Sequence, residues 1–95
     1  MNPPEKRSQL QTNYEQMIDV MLTNLDCPED IFQARSNELI DAAIAFEAES
    51  ILQIKEMNIH PSMAEAYERG ARMNTEHALA LQMILYSYRT RHGIK

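Results

Sequence analysis

Apolar side chains at Leu10, Tyr14, Met17, Ile18, Met21, Leu22 and Leu25 recur with spacings of 4, 3, 1, 3, 1 and 3, which trace one face of an α-helix. They predict a first helix over about 6–25. It ends at Asn24-Leu25-Asp26-Cys27-Pro28, because a proline disfavours helical geometry at the residue before it. Asp26 and Glu29 have the spacing of a capping box, so a second helix is expected from about 27, with Pro28 tolerated in its first turn. Its apolar positions run from Leu39 to Met57, and Asn58-Ile59-His60-Pro61 stops it near 58. Ser62 and Glu65 repeat the capping-box spacing and open a third helix, about 61–92, which meets no further proline and closes at Gly93. Glu65 with Arg69 and Glu68 with Arg72 add charge pairs four residues apart in the favourable order.

The pattern therefore predicts an all-α chain, a small bundle of three helices forming a single domain over 1–95. A continuous second helix of about 30 residues would be roughly 45 Å long at 1.5 Å per residue. That is too long for a compact domain of this size, whose radius of gyration is about 13 Å. Either Ser36-Asn37 breaks the helix, or the molecule is elongated and self-associates.

Projected at 100° per residue, Leu39, Ile40, Ala43, Ile44, Phe46, Ile51, Ile54 and Met57 share one arc of the second helix, with Glu47 in its middle. The equivalent stripe of the third helix gathers Met63, Ala66, Tyr67, Gly70, Ala71, Met73, Ala78, Ala80, Leu81, Ile84, Leu85 and Tyr88, and encloses Asn74 and His77. A carboxylate within an apolar stripe needs a partner. Arg7, Asn74 and His77 are the candidates for Glu47, as a register-fixing polar pair or as a small ligand pocket. A second, outward stripe carries Leu79, Met83 and Tyr86 on the third helix, while Ala45, Ala48 and Leu52 lie opposite the core on the second. These residues, Leu52, Leu79, Met83 and Tyr86 above all, are expected to form a contiguous patch that binds another copy or another protein.

Composition narrows the function without naming it. The net charge of −5 disfavours generic binding to phosphate backbones. The charge is uneven, with 11 acidic against 4 basic residues up to position 58 and 3 against 5 beyond it. The tail from Tyr86 interleaves aromatics with Arg89, Arg91 and Lys95, a candidate contact for nucleic acid or an acidic partner. Cations there also complement the negative end of the helix dipole. As a chain terminus, Arg89 to Lys95 is expected to be removable without loss of fold. One cysteine, Cys27, excludes an intramolecular disulfide, and neither a signal-like nor a membrane-length apolar run is present, so a cytoplasmic location is expected. No phosphate loop, HExxH, CxxC or paired Glu-x-x-His motif occurs, so no catalytic residue, metal or cofactor is assigned. The expected role is protein interaction, as a homo-oligomeric adaptor, assembly subunit or inhibitor. A nucleic-acid-associated regulator and a small-ligand pocket around Glu47 are the alternatives.

Overall fold

The computed structural model describes residues 8–94 and contains three helices, α1 (Gln9–Thr23), α2 (Glu29–Glu56) and α3 (Pro61–Arg91), with no strand among the described residues. Each begins and ends for a local reason. Ser8 caps α1 by accepting the Gln11 N–H at 3.0 Å. Pro28 occupies the N-cap of α2 rather than its first turn, and no side chain caps that end, so the Asp26–Glu29 capping box does not form. Glu29 and Asp30 instead place negative charge against the positive end of the helix dipole. At the next turn Asn58 takes a left-handed φ of 53°, which asparagine tolerates better than most residues. His60, not Ser62, caps α3: its ring accepts the Ser62 N–H at 3.2 Å, and Pro61 fills the first helical position. The far end closes on Gly93, φ 65°, with Gly93 N–H bonded to the Thr90 carbonyl and Ile94 N–H to that of Arg89. That pair of bonds is a Schellman motif.

α2 runs unbroken through Ser36-Asn37, and the molecule is elongated, with extents of 50 × 30 × 20 Å and a radius of gyration of 16.0 Å. The helices alternate in direction. Tyr14 meets Phe46 with ring centroids 5.8 Å apart, while Phe32 meets Tyr86 at 6.5 Å, so both α1 and α3 run antiparallel to α2. α2 is the central element and packs against both neighbours, whereas no Cα of α1 comes within 8 Å of α3.

On α3 the buried positions 71, 78, 85 and 89 lie on a row that also takes in the half-buried 64, 68, 75 and 82, alternating steps of 4 and 3, with Asn74 and Leu81 half-buried beside it. On α2 the buried positions 32, 36, 39 and 43 follow the same alternation, and the half-buried 46 and 50 continue it. A 3.5-residue period is the seam of a coiled-coil hairpin. Small residues at Ser36, Ala43, Ala71 and Ala78 let the helices approach closely, while Phe32, Leu39, Met21 and Leu85 supply the apolar area. Each such large side chain contributes about 1.5–3 kcal/mol on burial. The projected core is corrected accordingly. Ile44 and Met57 on α2, and Met63, Ala66, Tyr67, Gly70, Met73, Ala80, Ile84 and Tyr88 on α3, are exposed. A 100° projection drifts by about 20° per heptad from a 3.5-residue seam, and α3 spans more than four heptads.

Candidate interaction surface

Fifteen residues make α1 about 22 Å long, whereas α2 and α3, with 28 and 31, reach about 42 and 46 Å. α1 therefore covers only the half of the hairpin that holds Phe32 and Leu85. Its last tie to α3 is the Tyr14 hydroxyl, which donates to the Asn74 carbonyl at 3.2 Å. Burial of that hydroxyl raises its pKa above the usual 10.0, because the phenolate would lose its water. Among the described residues α1 reaches only to Gln9, past which α2 and α3 continue as a pair, and none of residues 44–70 is buried. A groove of about 320 Å³ continues the line of α1, with Ile54 and Met57 on one wall and Tyr67, Gly70 and Asn74 on the other.

The residues expected to bind a partner are all on the surface, Leu52 at 58% exposure, Leu79 at 43%, Met83 at 68% and Tyr86 at 48%. They do not form one contiguous patch. Met83 and Tyr86 line a groove of about 370 Å³ with Gln33, Gln82 and Ser87 at the covered end. Leu52 lines another, of about 470 Å³, with Ile44, Glu47, Ala48, Ile51 and Lys55 along the uncovered half of α2. The two share no lining residue.

Among the described residues, Asn74 and His77 are not brought to Glu47 as the expected polar pocket requires. Arg7 lies outside the described residues. Glu47 is half-buried at the open groove of α2, and makes no hydrogen bond or ion pair among the described residues. Asn74 turns its amide back to the Ala71 carbonyl of its own helix at 3.2 Å, and His77 is exposed. Glu47 is only half-buried because the seam passes one position away, along Ala43, Phe46 and Ser50, and its pairing with Arg7 lies outside the described residues. Among the described residues no group of three or more His, Cys, Asp or Glu side chains converges as a metal site would.

The tail requires the largest correction. Arg89 is only 3% exposed. Its Nη1 donates to the Leu25 carbonyl and lies 3.9 Å from Cys27 Sγ, and its guanidinium sits 4.6 Å from the centroid of the Phe32 ring. Nη2 is buried without a partner. Arg89 thus ties α3 to the α1–α2 turn and stacks on the core, so it is not a free cation for nucleic acid, and the segment from Arg89 is not a detachable end. The missed signal is its register, since 89 is the next seam position after Leu85. Of the other two cations, Arg91 is exposed and Lys95 lies outside the described residues. The charge pair between Arg72 and Glu68 forms at 3.7 Å, whereas no ion pair joins Glu65 to Arg69.

No described helix is long and apolar enough to cross a membrane. Compared with known proteins, the chain matches no family model, and finds no significant match to a curated protein or a solved structure.

Proposed function

We propose that this chain is a small helical protein-interaction module whose uncovered hairpin is completed by a partner, as in an adaptor, an assembly subunit or an inhibitor of a larger protein. One observation carries the proposal: from 44 to 70 no side chain is buried, although Ile44, Leu52, Met57, Met63 and Tyr67 are large and apolar. Helices in proteins draw most of their stability from packing an apolar face, and short isolated helices are marginal in water. About three turns of hairpin on which no third described helix packs are therefore a surface suited to another helix.

The test is a variant carrying Leu52→Ser, Met57→Gln, Met63→Gln and Tyr67→Ser, compared with the parent by circular dichroism, by light scattering after size exclusion, and by quantitative comparison of proteins retained from native extract. The variant should remain helical, melt close to the parent, and lose self-association or the retained partner. A variant that unfolds would assign these residues to the chain's own core, and one that associates and retains proteins as the parent does would remove the hairpin from the interface.

A further inference from the structure

The groove on α2 has a symmetry of its own. Alongside the seam, α2 carries a second row at Ile40, Ile44, Glu47 and Ile51, spaced 4, 3 and 4, one position beyond the seam residues Leu39, Ala43, Phe46 and Ser50. Ile51 stands at the middle of the groove, Glu47 one turn before it and Lys55 one turn after. Neither charged residue has an ion pair among the described residues. Eight residues apart, about 12 Å along the helix, they cannot reach each other within one chain.

We infer that the partner of this groove is a second copy of the chain, docked antiparallel along α2 about a two-fold axis at Ile51, an inference that rests on the interaction role proposed above. Antiparallel pairing about that residue sets Glu47 of each copy opposite Lys55 of the other, Ile51 against its symmetry mate, and Ala48 opposite Ile54. A two-fold interface must be self-complementary, with residue i meeting j and j meeting i. An acid and a base equidistant from a central isoleucine meet that condition, whereas a parallel arrangement would oppose Glu47 to Glu47 and Lys55 to Lys55. The same placement accounts for a carboxylate in an otherwise apolar row, since it sets the direction and register of pairing, as charges flanking a coiled-coil seam do. Ile44 and Leu52, 48% and 58% exposed in the single chain, flank the axis and lose that exposure in the dimer.

Sedimentation and light scattering across the micromolar range test the inference on the full chain, with circular dichroism to confirm that every variant stays helical. The parent should be a dimer. Glu47→Lys and Lys55→Glu should each weaken it on the order of tenfold, because each reversal acts twice across the axis. The double variant, with both charges exchanged, should dimerise as the parent does. In a Cys27→Ala background, Ile51→Cys should oxidise to a covalent dimer while cysteine at the exposed Asp41 should not. A parent that is monomeric throughout overturns the inference but leaves the interaction role to its own test by retained partners. A parental dimer unaffected by either reversal, or not restored by the exchange, overturns the placement on α2. Should Glu47→Lys unfold the chain, the Lys55→Glu reversal and the Ile51 disulfide still decide.

Discussion

Where α1 runs alongside, the α2–α3 hairpin seals a side chain at almost every seam position: Phe32, Ser36, Leu39 and Ala43 on one helix, Ala78, Leu85 and Arg89 on the other. Toward the other end the same two helices continue with the same 3.5-residue register, yet Ser50, Ala64 and Glu68 on their seam are only half-buried. Local sequence does not separate the halves, since both are helical and lack internal proline. The third row separates them. A seam between two helices shields one narrow strip of each, and a third helix is needed before a side chain loses contact with water on all sides.

The contrast is sharpest in the response to truncating a side chain. Phe32→Ala should cost about 3–5 kcal/mol in denaturant unfolding. Met63→Ala, at an exposed position of the other half, should cost less than about 0.5 kcal/mol in the monomer. Comparable losses at the two sites would erase the distinction between the halves. Next in size is Arg89. Its replacement by alanine, or removal of Arg89 to Lys95, should cost about 2–3 kcal/mol, because the Leu25 carbonyl loses a charged donor and Phe32 loses its cover. A melting temperature within a degree or two of the parent would return the tail to the surface.

The elements themselves were legible in the sequence, because Pro28 and Pro61 punctuate the chain and the apolar spacing between them is helical. The face that each long helix turns inward was not. Over α3 the apolar residues form two adjacent heptad rows, one through Ala71, Ala78 and Leu85 and another through Met63, Tyr67, Ile84 and Tyr88, and a single projection merges them. Size and hydrophobicity then favour the wrong row, since the buried one is built of alanines and a serine-lined partner. Arg89 was hidden for the converse reason: a cation in a helix's last turn already has an adequate surface role. Glu47 was recognised as anomalous on its face, but the row it belongs to faces away from the chain's own core. The outward residues Leu52, Leu79, Met83 and Tyr86 are exposed, with Met83 and Tyr86 in one groove and Leu52 in another.

A smaller effect marks the border between the halves. Tyr14→Phe removes the hydrogen bond to the Asn74 carbonyl and should cost about 0.5–1.5 kcal/mol. It should also remove an alkaline dependence. A phenol whose pKa is raised in the folded state contributes stability that is full below the unfolded value of 10.0 and declines as pH rises through the folded value. The parent should therefore lose stability above pH 10 more steeply than Tyr14→Phe. Parallel profiles would mean that the hydroxyl is solvated.

Site-resolved hydrogen exchange on dilute, monomeric protein tests the division of the molecule most directly. Amides of α2 and α3 between 44 and 70 should exchange through local opening at a much lower free energy than those around Phe32, Leu39, Ala78 and Leu85, which should open only with global unfolding. Adding a partner, or raising the concentration until copies associate, should close that gap. Uniform protection of both halves in the isolated monomer, at the level of global unfolding, would contradict the account, because the hairpin would then be complete without a partner.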